Sequence, residues 1–258
     1  VLAGDAPAAG NEDAFDAIVA LIDKSLLLRS ESSVVATCPL YYMLETVRAY
    51  AANELAAAGE RDEAMEGLVR YCTAEAAIAA DGLVGPAQVE WLDRVREDLD
   101  SYRAALTWLI EHERGPEASA IVWPLLFFWL IRGHAGEGLR WYEAILTLPS
   151  LPRVDEVKAR LGAAAMLHTT GSLDEARAHL TRAFELARDP DDRDVMPQAA
   201  GMFGHVEYAA GHLPPARRWF TRSRDGFLTI ASSWGVGTAL SGLAWVAVAT
   251  GDRDEAAR

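Results

Sequence analysis

The side chains best suited to proton transfer or metal binding in this chain are six histidines: His112, His134, His168, His179, His205 and His212. None forms the i, i+4 pair of a helical zinc site, and neither cysteine, Cys38 or Cys72, lies near one in sequence. Carboxylates cluster at Arg96–Asp100 and in "DPDDRD" at 189–194, but such charge runs read as solvated faces. No G-x-S-x-G elbow or G-x-x-x-x-G-K-[ST] phosphate loop occurs. The glycine-rich stretches "GHAGEG" at 133–138 and "SWGVGTALSG" at 233–242 lack the lysine and preceding strand of a phosphate cradle. The residues therefore point to a non-enzymatic chain with no catalytic group, metal or cofactor of its own.

Bulk properties narrow the partners. A formal net charge of −14 and a pI near 4.8 oppose binding to nucleic acid through its phosphates. Hydrophobic residues make up 51%, enough for a folded chain with a sizeable core. The cysteine count gives no disulfide framework and no signal peptide is visible, so the cytoplasm is the expected compartment. The most apolar run, Ala118–Ile131, is shorter than the ~20 residues of a membrane span and contains Pro124; it reads as a fully buried helix. The opening "VLAGD" has neither methionine nor helix cap, and "GDRDEAAR" starts a helix that stops at Arg258. Both ends lead us to expect a piece of a longer protein.

What positions the polar residues is a repeat. Gly171, Gly211 and Gly251 are spaced by 40 and 40 residues, and Gly133 lies 38 before Gly171. A polar turn and an apolar helical pattern follow each glycine, as in Leu173, Ala176, Leu180 and Ala183, or Leu213, Ala216 and Phe220. Each glycine can end a first helix in the left-handed conformation, and Ser172 or Asp252 can start the second. Small residues seven before the glycine, Ala164, Gly204 and Ala244, allow close helix approach. The expected fold is all-α, a right-handed superhelical solenoid of helix–turn–helix units over 118–258.

These positions resemble the tetratricopeptide repeat, which Gly204, Gly211, Ala216 and Phe220 match well and Ala164, Gly171, Ala176 and Leu180 nearly as well. Two departures stand out: the period is near 40 rather than 34, with "ARDPDDRDVMP" as one long inter-repeat loop, and Gly138 replaces the Ala176 equivalent.

Upstream the pattern changes. "NEDAFDAIVALIDKSLLL" predicts an amphipathic helix with Phe15, Ile18, Leu21 and Ile22 on one face. "SLLLRS", the turn "ESS" and "VVATCPLYYML" predict a two-stranded hairpin. "ETVRAYAANELAAAG" predicts a helix carrying Val47, Tyr50, Ala51 and Leu55 and closed by Gly59. Residues 1–59 thus read as a small winged-helix-like module, and 60–117 as connecting helices.

The stretch "LIDKSLLLRS…YYMLETVRAYAANEL" resembles the winged-helix subdomain that follows the nucleotide-binding domain of bacterial STAND-type (NB-ARC/LuxR-like) transcriptional regulators. "WLDRVREDLDSYRAALTWLIEHE", Trp91–Glu113, is similar to the segment bridging that subdomain to the helical repeats. The resemblance implies a role in signal transduction. It also implies an ATP- or ADP-binding NTPase domain upstream, able to pack against this segment.

In such a solenoid the first helix of each unit lines the concave face. Counting 13, 10, 6 and 3 residues back from each glycine places on it Trp123, Phe127 and Leu130; Lys158, Leu161, Ala165 and His168; Gln198, Gly201, His205 and Tyr208; and Thr238, Ser241 and Trp245. Most of the eight tryptophans read as packing between helices; the nine residues expected to bind are Trp123, Phe127, Lys158, His168, Gln198, His205, Tyr208, Ser241 and Trp245. This mixed surface suits a protein or peptide, or a small-molecule effector, with self-association also compatible. Packing against the protein's own neighbouring domain is the open alternative. So is a constitutive assembly module with no switching role.

Overall fold

Glycine-closed, alanine-rich helices dominate the computed structural model, which describes residues 10–29, 41–187 and 195–252. The chain divides into two compact units, Val1–Gly67 and Leu68–Arg258.

In the first unit, helix α1 (Gly10–Asp23) is followed by β1 (Leu28–Arg29) and β2 (Tyr41–Tyr42), then by α2 (Glu45–Ala58). The strands pair antiparallel, with Leu28 opposite Tyr42 and Arg29 opposite Tyr41. The expected turn "ESS" and Cys38 lie outside the described residues. Gly59 ends α2 as anticipated, at φ +74, where its N–H reaches Ala56. The apolar faces are only partly covered: Leu21, Ile22, Val47, Ala51 and Leu55 are half-buried, whereas Phe15 is 66% and Tyr50 65% exposed. Both rings project beyond the face expected to hold them.

The unit boundary falls within α3 (Arg61–Gly82). Helices α4 (Gln88–Glu97) and α5 (Leu99–Glu111) follow, then α6 (Gly115–Val122) and α7 (Leu126–Ile131). The expected single helix over Ala118–Ile131 is therefore two. Pro124 has no N–H to continue the ladder, and the chain turns at Trp123–Leu125 with Leu126 N–H bonded to the Trp123 carbonyl. Nor is the run fully buried: Phe128 and Trp129 are, but Trp123, Phe127 and Leu130 are only half-buried and Ile131 is exposed.

Three antiparallel hairpins come next. They are α7 with α8 (Ala135–Thr147), α9 (Arg153–Thr170) with α10 (Leu173–Leu186), and α11 (Met196–Ala209) with α12 (Leu213–Thr229); α8 also packs on α9, and α13 (Ser233–Thr250) on α12. Contacts α7·α9, α9·α11 and α11·α13 place the first helices side by side, as stacked units require. The corners behave as the sequence predicts, with Gly133, Gly171, Gly211 and Gly251 at φ +75 to +86. Ser172, however, makes no side-chain cap bond; it is Ser232 that accepts one, from the Gly235 N–H at 3.2 Å. The segment 188–194 and the helix expected after Asp252 lie outside the described residues.

The hairpin layout also extends upstream of residue 118. "LDSYRAAL" at 99–106 on α5 parallels "LDEARAHL" at 173–180 on α10. Arg103 bonds Asp100 at 2.9 Å and reaches Glu137 on α8 with two bonds of 2.7 and 2.8 Å. Arg177 likewise bonds Asp174 at 2.8 Å and Glu207 on α11 at 2.9 Å. Arg103 and Arg177 thus each tie their helix to the hairpin that follows. The shared L-D-x-x-R-A pattern was the sequence signal for this extra unit.

Close approach comes from aromatic rings resting on glycines. The buried Phe220 ring on α12 lies where a Cβ on Gly204 would come within 2.6 Å, and one on Gly242 within 2.4 Å. Gly204→Ala or Gly242→Ala should therefore cost about 1–3 kcal/mol through overpacking. Gly237→Ala, on the same α13 with open space around it, should instead stabilise by roughly 0.5–1 kcal/mol through helix propensity. Urea denaturation midpoints of the three variants check this, and equal effects at Gly237 and Gly242 would refute the packing account.

Candidate functional site

The stacked helices of the second unit form a half-open cavity of about 380 Å³. Of the nine residues expected on the concave face, Trp123, Phe127, Gln198 and His205 line it. Trp123 and Phe127 come from the break before α7 and from α7 itself; Gln198 and His205 lie two turns apart on α11. Leu130, Gly201 and Thr238, from the same register count, line it too.

The other five lie outside the cavity. His168 on α9 approaches the His205 ring at 5.9 Å, and Trp245 on α13 approaches it at 5.6 Å and Tyr208 at 6.1 Å. These three extend the lining as a continuous aromatic strip. Lys158 is half-buried on α9 and makes no ion pair among the described residues. Ser241 is exposed, and its hydroxyl donates within its own helix to the Gly237 carbonyl at 3.0 Å.

Sequence reasoning missed the second-helix contribution. Phe220, Ser223 and Phe227 of α12 form the floor, and Ala80 and Val84, at and just beyond the end of α3, reach the rim. It also missed Trp234, which lies 17 residues before Gly251, one helical turn beyond the last position counted. Extending the count by that turn would have found it. Nothing comparable marks Phe227, which faces inward from the wrong helix of the pair. Trp234 meets Phe127 edge-on at 5.0 Å, so α13 and α7 touch across the groove.

The electrostatics are those of a neutral pocket. No lining residue is an aspartate, glutamate, lysine or arginine. Burial, and then the neighbouring His168, push the His205 imidazole down to about 4. Burial also lowers His168. Both rings are uncharged at neutral pH, which leaves His205 one donor and one acceptor nitrogen. Ser223 donates to the Pro197 carbonyl at 2.8 Å and Thr238 to that of Gly235 at 2.8 Å, so both hydroxyls are fixed with lone pairs to spare. Helix α11 is anchored from behind by Glu207: burial opposes its ionisation, but hydrogen bonds from Arg177 and His212 hold it below the usual carboxylate range.

No group of three or more metal-capable side chains occurs among the described residues, and no described helix is long and apolar enough to cross a membrane. The arrangement can enclose a small molecule.

A stack of helical hairpins around an apolar cavity is the class that fold and site define. No family model matches the chain. It is 30% identical over 250 residues to proteins named as candidate HTH-type transcriptional regulators of Mycobacterium bovis and Mycobacterium tuberculosis, an alignment covering 88% of this chain and 27% of each relative. The chain thus spans little more than a quarter of the length of these relatives. Among solved structures, PilW, described as a widely conserved type IV pilus biogenesis factor, superposes with a TM-score of 0.50 at 18% identity, over 82% of this chain and 88% of its own. That likeness concerns the fold alone.

A depressed His205 has a consequence for stability. The unfolded chain binds the proton with a value near 6.5 and the folded chain only near 4, so this contribution is complete above about 6.5 and is lost as pH falls toward 4. Between pH 7 and 4.5 the wild type should lose on the order of 1–3 kcal/mol more than His205→Gln, read from denaturation midpoints across pH. Equal losses in both would mean that the imidazole is not held neutral.

Proposed function

We propose that this chain is the non-catalytic, effector-sensing segment of a transcriptional regulator. An effector bound in the concave cavity biases the conformation of the repeats and, through them, an NTPase and DNA-binding output elsewhere in the protein. The observation that carries the reading is the half-open 380 Å³ cavity, whose size falls in the range of small-molecule sites. The similarity to a segment of mycobacterial proteins named as regulators supports the output side. The winged-helix-like reading of the first unit and the STAND-type organisation belong to this proposal. Helix, two-stranded ladder and helix in residues 10–58 are compatible with both.

A switch requires the effector to favour one conformation over another by differential affinity. The Phe127–Trp234 contact supplies a place for this. Because α7 and α13 lie far apart in the stack's order, a ligand wedged beside that contact holds the array at one curvature. A protein or peptide partner would use the same aromatic strip from outside, along Tyr208 and Trp245.

The alternative is a constitutive assembly module without switching, which the exposed apolar residues of α13 favour: Trp245 is 47% and Val248 69% exposed. A thermal-shift screen against metabolites and peptides separates the two readings. Sensing predicts a saturable rise in the unfolding temperature that weakens at least tenfold in Phe127→Ala and His205→Ala. Assembly predicts no such ligand, and a concentration-dependent mass in sedimentation that Val248→Asp abolishes.

A further inference from the structure

The cavity's lining is specific about what it excludes. A charged ligand entering it would shed its hydration and meet no counter-ion, because every lining side chain is uncharged. Anions face a further penalty from the −14 charge of the chain. What the cavity does present is ring faces and edges: the edge-on Phe127–Trp234 pair, with Trp123, Phe220 and Phe227 in the same lining. Such walls favour offset or edge-on stacking with a flat ring.

The polar groups are few and differ in availability. The Ser223 and Thr238 hydroxyl protons are already committed to backbone carbonyls, so these groups can only accept. The Gln198 amide and the His205 ring have no hydrogen-bond partner among the described residues and sit two turns apart on the same face of α11. Each offers a directional donor and acceptor to an otherwise apolar chamber. That combination fits a group such as a carboxamide, lactam or phenol.

We infer that the ligand of this cavity is an uncharged, flat ring compound, laid against the Phe127–Trp234 pair and hydrogen-bonded through its polar group by Gln198 or His205. The inference rests on the reading of the cavity as an effector site and narrows that reading to a chemical class.

The test uses three probes that share one ring system and differ in charge: naphthalene-2-carboxamide, naphthalene-2-carboxylate and 2-naphthylmethylammonium. Each is titrated calorimetrically into the whole 258-residue chain at pH 7.5. The carboxamide should bind at least tenfold more tightly than either ion. Phe127→Ala should weaken it at least tenfold. Gln198→Leu, at an exposed side chain with no bond to lose, should weaken it severalfold and narrow the gap between carboxamide and unsubstituted naphthalene. Carboxylate or ammonium binding as tightly as the carboxamide overturns the inference, as does carboxamide binding indifferent to both substitutions. If none of the probes binds while another effector stabilises the chain in a Phe127-dependent way, the neutral-ring assignment fails and the sensing reading stands. If nothing of any class binds, both fall.

Discussion

The structure depends on aromatic rings seated on glycines. Phe220 fits between Gly204 on one side and Gly242 on the other, and Tyr142 on α8 lies where a Cβ on Gly162 of α9 would come within 2.2 Å. Each contact removes a side chain from one helix so that a large ring from its neighbour can fill the gap at full packing density. These rings set the distance between adjacent first helices. That distance fixes the width of the concave face, and with it whether a cavity survives there at all. Phe220 does both jobs, since another part of the same ring lines the cavity floor.

An acidic exterior surrounds an uncharged chamber, and the two are kept apart by the arrangement of the arginines. Arg103 and Arg177 lie on second helices and pair with Glu137 and Glu207 of the next hairpin. The charges therefore stitch the outer layer while the inner layer carries aromatic rings, an amide and neutral imidazoles. A carboxylate in the chamber would have drawn a cation; instead, burial and the proximity of His168 keep His205 unprotonated. Selectivity follows from desolvation without a compensating charge.

Much of this was legible in the sequence because the repeat supplies an internal ruler. Once Gly171, Gly211 and Gly251 are recognised as corners, residues counted back along the first helix fall on one face, and Trp123, Phe127, Gln198 and His205 emerge without any structure. Position along a helix is a local property, and a 3.6-residue period carries it faithfully. What a local ruler cannot give is contact between elements distant in sequence. Trp234 meets Phe127 from a helix six elements further along the chain, and Phe227 lines the cavity while its ring rests against Gly235 of α13. Pro124 was visible, yet the apolar run around it hid the break. Hydrophobicity alone did not tell a buried helix from a cavity wall.

The two kinds of corner in the stack differ in a way that bears on how such an array changes length over evolutionary time. Within a hairpin the corner is a glycine at positive φ and a fixed short turn, as in Thr170 to Leu173 or Ala209 to Leu213. Between hairpins the left-handed residue is Glu113, Ser150 or Ala231, at φ 53 to 58, each bearing strain of about 1 kcal/mol, and the joins range from Thr229–Ser233 to the long span Leu186–Met196. Insertions and deletions are therefore absorbed at the second kind, where no glycine sets the geometry. The joins between hairpins are where the pitch of the stack, and so the bore of its chamber, can be retuned without disturbing a single packed ring.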